Sequence, residues 1–268
     1  MGKKVFIIDL SMCNGCYSCH IGCKDEHVAN DWSPIAKPQP EIDHFWLKLH
    51  EKVRGTVPKV KVAYRPHLCM HCDNAPCIEA CRFGAKYKRD DGLVIIDPTK
   101  CTGCRRCVDI CPYDAIYFNR DLNIAQKCTG CAHLLDAGWK DTRCSDNCPT
   151  LCLRIMDEDD AQDLIAKAEV MKPELGTKPR VYYLNVPKKF IAGTVYDPDA
   201  DEVYIGAACT LTGGGATYSA TKDDFGDFWF EDLPDGEFKL DIVAGGKKKS
   251  FDCLDTAEAD INLGDIAL

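Results

Sequence analysis

A chain of 268 residues with a formal net charge of −9 and a pI near 5.3 lacks the clustered basic surface that nucleic-acid binding requires, so its partners are expected among proteins and small molecules. Its 19 cysteines are too reactive to stand unoccupied, which leaves disulfides or metals to engage them. The opening Met1-Gly2-Lys3-Lys4-Val5-Phe6 has neither the apolar core nor the small-residue cleavage site of a secretory signal, and no run of about 18 apolar residues occurs, so metal ligation is favoured and no membrane span is expected.

In chain order, Val5 to Ile8 reads as a short apolar strand leading into Asp9-x3-Cys13-x-Gly15-Cys16-x2-Cys19-x3-Cys23. The same pattern returns after a second apolar run, Leu93 to Ile96, as Asp97-x3-Cys101-x-Gly103-Cys104-x2-Cys107-x3-Cys111, which points to duplication of one unit. Between the copies lies Cys69, Cys72, Cys77 and Cys81, and beyond them Cys128, Cys131, Cys144 and Cys148. Met156 to Asp160 opens a charged stretch that reads helical from Ala161 to Val170 and is broken by Lys172-Pro173 and Lys178-Pro179, so 156–180 is expected to be a linker. From about Val181 the pattern changes to short alternating runs, Phe190 to Tyr196, Ala207 to Thr212, Thr217 to Thr221, Phe228 to Phe230, Phe238 to Val243 and Ser250 to Cys253, punctuated by glycine-rich turns. The expected fold class is α+β: tandem bacterial-ferredoxin-like cluster-binding modules over 1–155, then a small all-β sandwich or barrel over 181–268.

The run C-x2-C-x2-C-x3-C-P places three thiolates in one tight loop and sends the fourth to a neighbouring 4Fe-4S cluster. The third group has this run complete, ending Cys111-Pro112; the first has the spacing with Lys24 in place of proline; the fourth ends Cys148-Pro149. Glycine at Gly15, Gly103 and Gly130 lets backbone N–H groups turn toward sulfur. Zinc is the competing reading, since C-x2-C pairs also build zinc ribbons, and groups two and four taken alone fit it. The ferredoxin spacing of groups one and three favours clusters for all sixteen thiolates. Cys152, Cys209 and Cys253 are then surplus and expected as buried packing residues, and His20 and His71 as structural side chains. Lys88-Arg89 and Lys247-Lys248-Lys249 read as solvated charge, and no phosphate-binding loop or hydrolytic constellation is present in the sequence.

With these four groups in this order, and with Ala75-Pro76 before Cys77, residues 1–155 resemble the four-cluster iron–sulfur subunits of the dimethyl sulfoxide reductase family of molybdenum and tungsten enzymes. The resemblance implies that groups one and four interlock, as do groups two and three. Cys13, Cys16, Cys19 and Cys148 would then hold one cluster, and Cys128, Cys131, Cys144 and Cys23 its neighbour. Cys69, Cys72, Cys77 and Cys111 would hold a third, and Cys101, Cys104, Cys107 and Cys81 the fourth. Some relatives carry tryptophan where Cys104 stands and hold a 3Fe cluster there; the cysteine implies a full cubane. The resemblance also implies a non-catalytic electron-transfer chain in a heterodimer, with molybdenum and molybdopterin guanine dinucleotide on a large partner subunit. The residues leave that partner open, a formate dehydrogenase or polysulfide reductase large subunit among the possibilities. The C-terminal region resembles transthyretin-like sandwiches, a likeness of fold that says nothing about a ligand. Surplus thiols and oxygen-sensitive clusters lead us to expect a reducing cytoplasm.

Overall fold

The computed structural model describes residues 2–268, which form two compact units: one runs to Glu51 and resumes from Tyr64 to Val186, the other comprises Lys52–Ala63 and Pro187–Leu268. Strand β1 (Lys4–Asp9) is the centre of the first unit's three-stranded sheet and is followed by α1 (Ser18–Val28). A hairpin of β2 (Lys48–Thr56) and β3 (Lys59–His67) comes next, its residues 52–63 counted with the second unit. Helix α2 (Pro76–Glu79) precedes the hairpin β4 (Lys86–Lys88)–β5 (Val94–Ile96), and α3 (Arg106–Asp109) precedes the hairpin β6 (Tyr117–Asn119)–β7 (Ile124–Gln126). Then come α4 (Ala132–Asp136), α5 (Arg143–Asp146), β8 (Leu153–Asp157), α6 (Gln162–Ile165) and β9 (Val181–Leu184).

Strand β1 reads as continuously apolar because both its faces and both its edges are covered. Phe6 and Ile8 enter the main core, while Val5 and Ile7 meet Ala161 and Leu184 on the other side. Strand β8 pairs with it antiparallel, Phe6 opposite Ile155, and β9 pairs parallel, Phe6 opposite Val181. Residues 156–180, expected as a linker, are instead part of this unit, and the boundary falls at Val186 rather than before Val181. The physical reason is Arg180, which is buried: its guanidinium donates to Asp73 Oδ1 at 2.8 Å and to Glu158 Oε2 at 2.9 Å, and its own carbonyl accepts from the Phe6 N–H at 2.9 Å. Of the helix expected from Ala161 to Val170, only α6 and the short 3-10 turn before it form.

The second unit is almost entirely strand: β10 (Lys189–Asp197), β11 (Glu202–Val203), β12 (Ala208–Gly213), β13 (Ala216–Ser219), β14 (Thr221–Lys222), β15 (Asp227–Leu233), β16 (Glu237–Ala244), β17 (Lys247–Asp255) and β18 (Ile261–Ala267). One sheet has the order β11-β10-β15-β14 with β18 parallel to β10, the other β13-β12-β16-β17. The two share one core, with Ile191, Phe228, Phe230 and Ile266 from the first and Leu211, Leu240 and Ile242 from the second. The run Thr217 to Thr221 divides between the sheets, since β13 pairs with β12 and β14 with β15. Within this unit Arg54 grips Asp260, donating through Nε at 3.0 Å and a terminal nitrogen at 2.6 Å, which ties the hairpin residues to the end of the chain. Cys209 is buried as expected; Cys253 is exposed, at a left-handed backbone position in β17, and contributes nothing to the core.

Arg180→Ala strands the carboxylates of Asp73 and Glu158 and opens a void beneath β1. It is expected to lower stability by about 3 kcal/mol, the scale for breaking a buried charged network, and a lowered midpoint of chemical unfolding checks this.

Candidate metal centres

Each cysteine group sits in a loop beside a helix of one to three turns; in groups one, three and four the chain enters that helix through left-handed backbone, while the second group enters α2 through the extended Ala75. Gly15, Gly103 and Gly130 have φ of 74°, 71° and 63°, and Tyr17, Arg105 and Cys131 follow in the same region. Such a backbone directs successive N–H groups to one side. The Gly130 N–H donates to the Cys128 sulfur at 3.4 Å, and His71, Ala125 and Arg143 N–H groups donate to Cys69, Cys101 and Cys131 at 3.5 Å each. The repeat is therefore one of loop geometry. Its two apolar strands differ in setting, since β1 lies between two partners and β5 in a hairpin.

Tertiary packing mixes the groups. Burial pushes the Cys19 thiol up to about 12, and Cys148, Cys13 and Cys16 push it in the same direction. Cys23, wholly buried, is raised well above the ordinary thiol value by desolvation and then by Cys128, Cys144 and Cys131. Burial also carries Cys72 to about 12, with Cys69, Cys77 and Cys111 adding to the rise against a hydrogen bond from Thr177. Cys107 is raised by burial, opposed by Lys86 and reinforced by Cys77 and Cys101. The first three neighbourhoods join cysteines far apart in sequence. Helices α1 and α5 lie together here: Gly22 of α1 faces the side chain of Asn147 at the end of α5, which a Cβ on Gly22 would have to displace.

Sulfurs of neighbouring sets also feel one another. Cys144 is raised by burial, by Cys131 and Cys128, and also by Cys19; Cys128 is carried to about 11 by burial and then by Cys69; and Cys77 acts on Cys107. Of the sixteen, Cys16 and Cys104 are exposed. Cys152, expected as a bland packing residue, is buried and lies beside Cys13, whose thiol its neighbourhood draws below the ordinary value. The signal for it was present, since Cys152 lies only four residues after Cys148.

Among the described residues no three His, Cys, Asp or Glu side chains converge closely enough to hold one metal ion. A tetrahedral zinc with bonds of about 2.3 Å demands that convergence, whereas a cubane places each thiolate on a different iron. Several buried polar atoms beside the cysteines also lack protein partners, namely Lys86 Nζ, His71 Nε2 and Thr129 Oγ1. His71 Nδ1 accepts the Val94 N–H at 3.0 Å, which places the proton on Nε2 and makes it an unanswered donor. A buried ammonium and buried donors without acceptors call for anionic groups in the same space. Thiolate-bound clusters with sulfide corners supply them, so the residues fit the group. Lys88, expected as solvated charge, pins the second ligand loop by donating to the Cys72 carbonyl at 2.8 Å and pairing with Asp73 at 2.7 Å.

The 4Fe-4S dicluster domain family matches residues 60–158. The small subunit of pyrogallol hydroxytransferase from Pelobacter acidigallici is 41% identical over 100% of both chains. A tetrathionate reductase subunit from Salmonella typhimurium is 35% identical over 70% of this chain and 75% of its own, and the arsenate respiratory reductase iron–sulfur subunit of a Shewanella strain is 31% identical over 66% and 94%. The chain belongs to the electron-transfer iron–sulfur subunits of the dimethyl sulfoxide reductase family. As in that family, it carries clusters of the 4Fe-4S kind and works beside a catalytic partner subunit; among its described residues no helix is long and apolar enough to cross a membrane.

Two substitutions separate ligand loss from loss of packing. Cys104→Ser changes one exposed position and is expected to remove or convert a single cluster, because serine oxygen is a poor replacement for a soft thiolate. Gly22→Val must displace the Asn147 side chain between α1 and the end of α5 and is expected to remove more iron than Cys104→Ser, from both sets that those helices assemble. Iron per chain and the visible absorption of the purified proteins check both.

Proposed function

We propose that this chain holds four 4Fe-4S clusters in series and connects them to a molybdenum centre on a large partner subunit that moves hydroxyl groups between trihydroxybenzenes. What supports the series is a succession in which a buried thiol of one set is raised by the charge of a thiol in the neighbouring set. Cys13, Cys16, Cys19 and Cys148 adjoin Cys23, Cys128, Cys131 and Cys144 through Cys19 and Cys144. Cys128 then adjoins Cys69, of the set Cys69, Cys72, Cys77 and Cys111, and Cys77 adjoins Cys107, of the set Cys81, Cys101, Cys104 and Cys107. When bound, such clusters supply one-electron steps. The chain's own residues hold the sets in sequence, keep water from the inner ones by burial, and leave Cys16 and Cys104 exposed at opposite ends of the order.

The hydroxytransferase reading rests on extent. That relative matches the whole chain, the C-terminal β unit included, whereas the tetrathionate and arsenate reductase subunits match 70% and 66% of it. The β unit is read as a transthyretin-like sandwich of no assigned ligand, and the compartment as a reducing cytoplasm, which suits the free thiols Cys209 and Cys253. Hydroxyl transfer between phenols involves no net redox change, so the series of clusters serves to set or restore the working oxidation state of the molybdenum.

The set containing Cys16 is placed nearest the molybdenum. Cys16→Ala in the complex is then expected to abolish reductive reactivation after oxidation while sparing turnover of the prereduced enzyme. Equal loss of both would overturn the maintenance role, and loss of neither would overturn the placement.

A further inference from the structure

The duplicated ligand loops place one exposed cysteine at each end of the series, and the surfaces around the two have diverged. At matching positions of the repeat, Met12 corresponds to Lys100, Tyr17 to Arg105 and Ser18 to Arg106. Around Cys16 the exposed side chains carry no charge: the polar Ser11 and Asn14 stand with the larger Met12, Tyr17, Ile21 and Leu151. Around Cys104 they are cationic, with Arg82, Arg105, Arg106 and Lys100 exposed in a chain whose net charge is −9.

Arg82 and Arg106 have no ion-pair partner among the described residues, and they line a shallow depression of about 500 Å³ with Glu79, Ala80, Asp109 and Ile110. Lys100 pairs with Asp97 at 3.2 Å, and Arg105 lies over the Phe118 ring, 3.9 Å from its centroid. Glu79 and Asp109 equal Arg82 and Arg106 in number and Asp97 answers Lys100, so the patch carries one cation in excess, Arg105, in a chain of net charge −9. Phe83, 53% exposed, and Ile110, 47% exposed, give the patch an apolar centre.

We infer that the surface around Cys104 is a docking site for a small acidic one-electron carrier of the ferredoxin or flavodoxin class, and that electrons enter the series there. The inference rests on the cluster reading above. Permanent subunit contacts are apolar, whereas transient redox encounters are small, polar and steered by charge, so the uncharged end suits a resident subunit and the basic end a visitor. An acidic carrier is drawn to this patch against the repulsion of the chain as a whole, which orients it. In the step itself one electron leaves the reduced carrier and enters the cluster held by Cys81, Cys101, Cys104 and Cys107; no bond or proton moves.

The test uses the complete complex and two reductants, a reduced acidic two-cluster bacterial ferredoxin and the methyl viologen radical cation, with bleaching of cluster absorption followed by stopped flow. For the unmodified complex, reduction by ferredoxin is expected to slow at least ~10-fold between low and high ionic strength. The double variant Arg82→Glu, Arg106→Glu is expected to lose that rate advantage at low salt while viologen reduction stays as fast as in the unmodified complex. Unaltered ferredoxin kinetics in the variant, or salt-insensitive ferredoxin kinetics in the unmodified complex, would overturn the docking site. Failure of either reductant to bleach any absorption would instead overturn the cluster reading. If the variant is isolated without iron, the salt dependence of the unmodified complex decides.

Discussion

The close packing of α1 against α5 is the contact on which the rest of the first unit depends. Cys19 and Cys23 leave α1 one turn apart and reach different sets, the one toward Cys148, the other toward Cys144. That division needs α1 and the end of α5 close together, with Gly22 facing the Asn147 side chain, which a larger residue at Gly22 would have to displace. The helices are too short to form by propensity, so their stability comes from what they are packed against.

Charge compensation is the second constraint. The interior holds Lys127 and Lys86 next to buried thiols. Lys127 donates to the carbonyls of Val94 and Cys128, and no carboxylate answers either lysine among the described residues. Desolvated cations of this kind are costly alone and favourable beside an anion. Arg180, by contrast, has its carboxylates and serves the fold, joining β1, the second ligand loop and the segment after β8. These buried cations thus divide by partner: Arg180, with its carboxylates, holds elements together, and Lys86 and Lys127, without them, lie beside the sulfur sets.

Duplication gave two similar loops, and their neighbourhoods then separated. The loop at Cys13 leads from a strand buried on all sides, with apolar residues at its surface; the loop at Cys101 leads from a small hairpin, with arginines at its surface. Backbone conformation is retained because every such loop must turn N–H groups to sulfur, whereas the outer side chains answer to whatever meets them.

The sequence alone determined the chemistry, because thiolate spacing is a local property: three ligands within one loop and a glycine to turn it are set by chain geometry over seven residues. It also showed where the strand-rich region lies and that Cys209 packs in it, since alternation with period two is local as well. Tertiary structure decided the rest. Arg180 ends a stretch whose prolines and charges read as linker, and β9 lies in what reads as the start of the β-rich region, because a strand added in parallel to β1 leaves no periodic mark of its own when it is four residues long. The division of Thr217 to Thr221 between two sheets, the exposure of Cys253 and the approach of Cys152 to Cys13 likewise follow from long-range pairing. The order of the sulfur sets belongs to this second class, since sulfurs that neighbour one another in space, such as Cys69 and Cys128, are brought together by packing and not by spacing along the chain.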